Sequence, residues 1–368
     1  MIDGAENPAM RGVYETKDLF NVDTSDDPDS LIGYANRFLG RGGSWLWVGP
    51  SGIGKSTLLA SFLIHAAAGV AWLGITFRRP LRIVVIQAEN DRGDLAEMVR
   101  GAINASELNP DQCELAMVNI RWVHETERTG QPFCERVESL ILSTASDVVC
   151  VDPLLSYIGD DISQQKVASQ FLRNGLQPIL KRTGAIALVV HHTGKIPKDS
   201  GSYKGWNDSD FSYLGIGSSD LTNWARAIAT FTLHGANTGI YRFLLAKRGN
   251  RAGLRDMTTG ERTNAIYLTH SGRGQGWAQC EAPVIEEKPR NGGRTPKLRD
   301  EDVIAAFKGT TSPLRKDRLI AQLGIIHRVS PRTARETVSG LLLANVLKLD
   351  STSPRTGGGN PYEWISLV

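Results

Sequence analysis

Residues 49–56 read Gly49-Pro50-Ser51-Gly52-Ile53-Gly54-Lys55-Ser56, and this octet decides the fold. It matches G-x-x-x-x-G-K-[ST], follows the short apolar run Ser44–Val48 and opens a long apolar segment. Strand, glycine-rich turn and helix in that order are the context the pattern requires. The chemistry follows from the residue types. Glycines let successive N–H groups close around phosphate oxygens, and the N-terminus of the next helix adds positive potential. Lys55 is placed to reach β and γ phosphates, Ser56 to hold Mg²⁺, and Thr57 completes the nucleotide-binding set, so ATP and Mg²⁺ are the expected cofactors. A chance glycine-rich turn before a helix is the alternative for the octet taken alone.

Working outward, Leu81–Gln87 reads as a second strand with Glu89 just past its end, and Asp94–Ile103 as a helix. Ile120–His124 reads as a strand, Phe133–Thr144 as a helix, and Asp147–Val151 as a buried strand ending at Asp152. A helix over Lys166–Lys181 leads to a strand over Ala185–Val190 that ends at His191 and His192. Ala227–Leu233 and Gly239–Leu245 look like paired strands extending the sheet. Strands alternating with helices predict an α/β fold, a mostly parallel central sheet covered on both faces. Upstream, residues 1–29 read as an N-terminal arm. Asp29 or Ser30 is expected to cap a helix reaching Leu39, ended by Gly40, Gly42 and Gly43.

The chain has 368 residues and a formal net charge of +3. The charge is unevenly placed: Lys288–Val368 holds 14 Lys and Arg against 7 Asp and Glu, a balance of +7, which leaves −4 for the rest. A basic appendage on a mildly acidic core suits nucleic-acid contact, and an Arg-rich solvated surface is the plainer alternative. Cys113, Cys134, Cys150 and Cys280 form no CxxC pair and no zinc-ligand spacing, so they read as reduced thiols in a cytoplasmic protein. The polar, acidic N-terminus does not resemble a signal peptide. The longest apolar stretch, Leu58–Ile75, follows the phosphate loop and is better explained as a buried helix than as a membrane span.

Four further positions suggest chemistry. Asp152 ends Val148-Val149-Cys150-Val151 and fits an aspartate that orients Mg²⁺; a strand-terminal Asp turning into Pro153 is the alternative. Because Pro153 follows it, no carboxylate adjoins Asp152, and the water-polarising base must come from elsewhere. Glu89 is the candidate, since strand ends of a parallel sheet converge on one crevice; a surface Glu is the alternative. His191 and His192 stand where a γ-phosphate or DNA sensor would; the alternative is a satisfied pair of loop histidines, or one in the core and one exposed.

Taken together, GPSGIGKST, the QAEN segment with Glu89, VVCVDPLLS, VVHHTGK and GSSDLTNWARAIATF resemble the RecA-like ATPases, in particular hexameric helicases related to plasmid RepA and, more distantly, DnaB. The resemblance spans about residues 30–255 and implies a RecA-like P-loop core over 30–280. It also implies a homo-oligomeric, hexameric ring that acts on single-stranded DNA. It places the catalytic Glu of that group at Glu89 and an arginine finger, acting on the next subunit's ATP, at Arg226. Lys247 and Arg248 in LLAKRGNRAG are candidates for a second trans-acting pair; for each of the three a plain surface base is the alternative. Tyr203–Tyr213 reads as a DNA-facing loop or a lid.

Residues 281–297, with EEKPRNGGRTPK, read as a linker. In 298–368 three helices are expected, Asp300–Lys308, Arg315–Leu323 and one capped by Ser330 with Pro331 at its first position. A hairpin pairing Val346–Asp350 with Glu363–Leu367 completes a winged helix-turn-helix. Arg332, Thr333 and Arg335 on its recognition helix, and Arg355 on its wing, are the DNA-binding candidates; such domains also serve protein contacts. The chain thus reads as an ATP-driven DNA motor, a ring-forming replicative helicase. The alternative is an ATP-dependent DNA-binding regulator or recombination accessory protein that does not unwind.

Overall fold

Trp45 and Trp47 alternate with Leu46 and Val48 along Ser44–Gly49, and all four are buried. Side chains of a strand alternate between faces, so a strand apolar on both must lie inside a sheet covered on both sides. The computed structural model describes residues 14–194, 206–217, 219–234, 238–271, 276–281, 298–310, 312–354 and 360–368. The chain divides into two compact units, Met1–Val284 and Ile285–Val368.

The first unit begins with a short helix, Thr16–Phe20 (α1). Ser30–Ile32 (β1) and Leu39–Gly40 (β2) then form a small antiparallel pair. The helix expected from residue 30 to Leu39 is absent here. Gly33 and Arg37 adopt left-handed backbone angles on either side of a single 3-10 turn, Tyr34–Asn36, and a helix cannot run through them.

Nine strands make the main sheet. In chain order they are Ser44–Gly49 (β3), Ile83–Gln87 (β4), Ile120–His124 (β5), Val148–Asp152 (β6), Ile186–His192 (β7), Ala227–Leu233 (β8), Ile240–Lys247 (β9), Ala265–His270 (β10) and Trp277–Cys280 (β11). Their spatial order is β11-β10-β9-β8-β3-β7-β6-β4-β5. The segment from β8 to β5 is parallel throughout, and β9, β10 and β11 add an antiparallel extension.

One face is covered by Lys55–Ala68 (α2), Arg92–Ala105 (α3) and Pro110–Asn119 (α4). Against α2 an aromatic cluster gathers, in which Trp45, Trp47, Phe62, Trp72 and Phe243 meet at centroid distances of 5.0–6.1 Å. The other face carries Gly130–Thr144 (α5), Leu155–Ile158 (α6) and a helical run made of Gln165–Ser169 (α7), a π-turn Gln170–Leu176 and Gln177–Thr183 (α8). Asp220–Trp224 (α9) joins that layer. This is the α/β, mostly parallel architecture of a RecA-like P-loop core. Of the apolar stretch Leu58–Ile75, Leu58–Ala68 lies in the buried helix α2, which the left-handed Gly69 ends, and 70–75 are not helical; no helix among the described residues is long and apolar enough to cross a membrane.

The second unit contains Asp300–Ala305 (α10), Leu314–Arg315 (β12), Lys316–Ile326 (α11), Pro331–Leu343 (α12), Leu347–Ser353 (β13) and Tyr362–Leu367 (β14). The strands form an antiparallel sheet of order β12-β14-β13. Val303, Phe307, Leu319, Leu323, Val338, Leu341 and Ile365 form its own core. The Ser330 hydroxyl accepts from the Thr333 N–H at 3.1 Å, and Pro331 takes the first turn of α12, where its missing N–H costs nothing. Of the segment 281–297 expected as a linker, 282–297 lie outside the described residues.

Candidate functional site

The parallel register brings the carboxyl ends of four strands level. Gly49 lies opposite His192, and Gln87 opposite Asp152. In an open α/β sheet the crevice beyond those ends is where ligands bind, and the order reverses here around β3. The phosphate loop turns out of β3 into α2 at that point.

The glycines of the loop are there for space and backbone freedom. Gly52 and Gly54 have positive φ, +72° and +93°. A Cβ on Gly54 would stand 2.8 Å from the Trp277 ring, and one on Gly49 would run into the Phe231 carbonyl. The Lys55 ammonium folds over the loop and donates to the carbonyls of Gly49 at 3.0 Å and Pro50 at 2.6 Å. Burial pulls its pKa down, while the charges of Asp152 and Glu89 oppose that pull.

The Ser56 hydroxyl donates to Asp152 Oδ2 at 2.8 Å, so the tip of β6 meets the first turn of α2. Burial pushes the Asp152 carboxyl up to about 6; the Ser56 hydrogen bond and Lys55 lower it, and Glu89 raises it further. A hydroxyl and a carboxylate side by side beneath a phosphate cradle are a hard-oxygen donor pair of the kind Mg²⁺ takes, with phosphate and water completing its shell. Among the described residues no cluster of three metal-ligating side chains occurs, and a cation held this way needs none.

Glu89 is exposed two residues beyond β4, close enough for its charge to act on Lys55, Asp152 and His192. Gln87 fixes the turn that carries it. Its buried side chain accepts from the Asn90 N–H at 2.8 Å and donates to the Asn90 carbonyl at 2.8 Å. Sequence reading passed over Gln87, yet a polar residue ending an otherwise apolar strand was a visible signal.

The two histidines part company. The His192 ring lies 3.3 Å from the Lys55 ammonium, at the loop. His191 is fully buried on the opposite face of β7, with Nε2 at 2.6 Å from the Ile216 carbonyl. Burial lowers its pKa to about 4, so it is neutral at physiological pH. Of the pair, His192 is the one brought to the phosphate loop.

Arg226, Lys247 and Arg248 lie at the other end of the sheet. Arg226 precedes Ala227, which pairs with Trp45 near the start of β3, and its N–H donates to the Ser44 carbonyl at 3.0 Å. Five residue steps of β3 separate Ser44 from Gly49, about 17 Å. Lys247 is engaged at home, its ammonium donating to the carbonyls of Thr222 at 2.8 Å and Ala225 at 2.7 Å. Arg248 donates to the Arg37 carbonyl at 2.7 Å.

Trp277 of β11 is a neighbour of the loop that sequence reading did not anticipate. Its indole N–H donates to the Thr57 hydroxyl at 3.1 Å, and the His270 ring packs on it at 4.0 Å. No motif marks it, because the antiparallel extension folds back over the loop only in three dimensions. Of the expected DNA-facing loop, 206–213 are described and include a 3-10 turn, Asp210–Tyr213, while 203–205 lie outside the described residues.

In the second unit Arg332 and Arg335 are exposed on the first turns of α12. Arg332 pairs with Glu336 at 2.8 Å, and the Thr333 hydroxyl meets Ser330 at 2.9 Å. Arg355 lies outside the described residues.

A family model described as an AAA domain matches residues 14–197, half of the chain. None of the curated proteins matches the sequence. Among solved structures, a KaiC-like protein of the hyperthermophilic archaeon Pyrococcus horikoshii OT3 is similar at 15% identity and a TM-score of 0.44, over 69% of this chain and 95% of that one. The RadB recombinase is similar at 13% identity and a TM-score of 0.42, over 66% of this chain and 92% of that one.

Proposed function

The chain belongs to the AAA domain family, and on that premise we propose that it is an ATP-driven DNA motor, a ring-forming helicase that moves on single-stranded DNA during replication. The observation that supports this best is the pairing of a phosphate loop and its Ser56–Asp152 contact at one end of β3 with arginines at the other that have no carboxylate partner among the described residues. In this reading Lys55 neutralises charge on the β and γ phosphates of the substrate ATP. Ser56 and Asp152 hold Mg²⁺, which when bound offsets the charge of the phosphates. Glu89 orients the attacking water and accepts its proton, and His192 reports phosphate occupancy from beside Lys55. Arg226 and Arg248 serve the nucleotide of a second copy, because a guanidinium stabilises the charge developing on the transferred phosphoryl group. Lys247 supports that edge by holding α9 in place.

The element order of the second unit, helix–strand–helix–helix–strand–strand, suits a winged helix, with Arg332, Thr333 and Arg335 of α12 facing duplex DNA. That unit is also the observation favouring the second reading, a DNA-binding regulator or recombination accessory protein that turns over ATP without unwinding.

ATP-dependent separation of a forked DNA duplex, with Lys55→Ala as control, decides between them. Strand separation by the wild type alone supports the helicase. ATP turnover with DNA bound and the strands left paired defeats it and leaves the regulator.

A further inference from the structure

The end of the main sheet away from the phosphate loop holds a cavity of about 760 Å³. Three segments bring arginines to it: Arg37 and Arg41 from around β2, Arg226 from the start of β8, and Arg248 with Arg251 from the turn after β9. Two have carboxylate partners of the chain's own N-terminal stretch. Asp27 lies 2.8 Å from Arg37, and Asp29 lies 3.5 Å from Arg41. Arg226, Arg248 and Arg251 have no carboxylate within ion-pair distance among the described residues.

Such an accumulation opposes itself. Arg248 is half-buried, and burial together with the charges of Arg226, Arg251 and Arg37 pushes its guanidinium down to about 10. Like charges gathered where water is partly excluded are unfavourable unless an anion joins them. Five arginines against two aspartates leave an excess of three positive charges, and of five once the aspartates are displaced. One further carboxylate does not offset that; a chain of phosphates does. The guanidinium fork also matches phosphate oxygens two at a time.

We propose that this cavity is an oxyanion site for phosphate groups, separate from the phosphate loop, and that Asp27 and Asp29 are internal competitors occupying its mouth until phosphate displaces them. The site is complete within one chain, so it goes beyond the trans-acting reading of Arg226 and does not depend on it. Asp27 is suited to the part. Its side chain also accepts from the Asp29 N–H at 3.0 Å, which pins both aspartates in one turn, so they leave together.

The test is calorimetric titration of the full-length chain with tripolyphosphate at low salt, without Mg²⁺. Two sites are expected, one weakened by Lys55→Ala and the other weakened at least tenfold by Arg248→Ala/Arg251→Ala. Arg251→Gln, at an exposed side chain, gives the same answer should the double variant not fold. Asp27→Asn/Asp29→Asn is expected to tighten the second site several-fold; the amide oxygen introduced at position 27 still accepts the turn hydrogen bond. A single site indifferent to Arg248 and Arg251, or a second site weakened by the Asp27→Asn/Asp29→Asn change, overturns the proposal.

Mixing Lys55→Ala chains with Arg226→Ala chains, each expected to be inactive alone, separates the sources of phosphate. Recovered ATP turnover means it arrives on a second copy's nucleotide. Two-site titration without recovery identifies free polyphosphate, and then the cavity stands while the trans reading of this edge falls.

Discussion

His191 makes the folded chain sensitive to acid in a way that can be isolated. The imidazole is fully buried, its Nε2 faces the Ile216 carbonyl, and its Nδ1 has no partner among the described residues. A carbonyl accepts, so Nε2 carries the proton and Nδ1 must stay bare. The folded chain therefore resists protonation there until about pH 4, against 6.5 for an unburied imidazole. The sign follows from linkage: below 6.5 the unfolded chain takes up a proton that the folded chain refuses, so stability is intact above 6.5 and drains away as pH falls toward 4. At about 1.36 kcal/mol per pH unit the loss is about 3 kcal/mol. His191→Gln keeps a donor for Ile216 and cannot titrate. Urea denaturation of both proteins from pH 8 to pH 4.5 should show the variant less stable at pH 8, through poorer packing. The wild type should then lose up to about 3 kcal/mol relative to it on acidification. Taking the difference cancels every other titrating group. A difference that does not change with pH would mean that His191 is protonated, or solvated, in the folded chain, and the argument from burial would fail.

Other expectations concern the site. Gly54→Ala puts a Cβ 2.8 Å from Trp277 at a φ of +93°, and should weaken binding of a fluorescent ATP analogue more than tenfold while leaving the circular dichroism spectrum intact. Lys247→Met orphans the carbonyls of Thr222 and Ala225 and should cost about 1–3 kcal/mol in a denaturant melt; lost hydrolysis with no change in stability would instead make Lys247 a trans-acting residue. Arg226→Ala should retain ATP binding and abolish hydrolysis, and normal turnover would remove Arg226 from the mechanism. DNA binding by a fragment starting at Leu298 should fall steeply between about 50 and 200 mM salt, since phosphate contacts release counterions; salt-independent binding would point away from α12 as a DNA-facing helix.

What could be read in advance follows the range over which each signal acts. The parallel core was legible because each buried strand is a short apolar run closed by a polar residue, and each such residue stands where the chain turns into the crevice. Gly49–Ser56 is marked by its glycine pattern and Asp152 by its place at the end of an apolar run, and the 2.8 Å contact of Ser56 with Asp152 joins these two segments 96 residues apart. The segment around residues 30–40 was not. Its polar caps and apolar spacing suit a helix, and the left-handed turns at Gly33 and Arg37 that break it depend on tertiary packing: Phe38 is buried and the Gly33 N–H donates to the Thr76 carbonyl at 2.7 Å. Trp277 was equally hidden. The strand bearing it is four residues long, without periodicity, and its importance lies in reaching Thr57 across 220 residues. Sequence left open whether His191 and His192 divide between core and surface, and which of them acts; the period of two along β7 sends His191 into the core and His192 to Lys55.

Under the proposed function, the length of β3 explains why one copy of the chain needs another. The two chemically loaded places in the first unit, the phosphate loop and the arginine cavity, terminate opposite ends of β3, with Ser44 lining one and Gly49 opening the other. A strand is stiff, and this one is locked between β7 and β8 on both edges. No side-chain rotation carries Arg226 over a separation of about 17 Å to its own loop, and a hinge that did so would have to break the central pairing of the sheet. Hydrolysis assisted by Arg226 is therefore a reaction between two copies or it does not occur. Under the proposed function, oligomerisation becomes a chemical requirement, and the place to look for its control is the edge where Asp27 and Asp29 already hold two of the arginines.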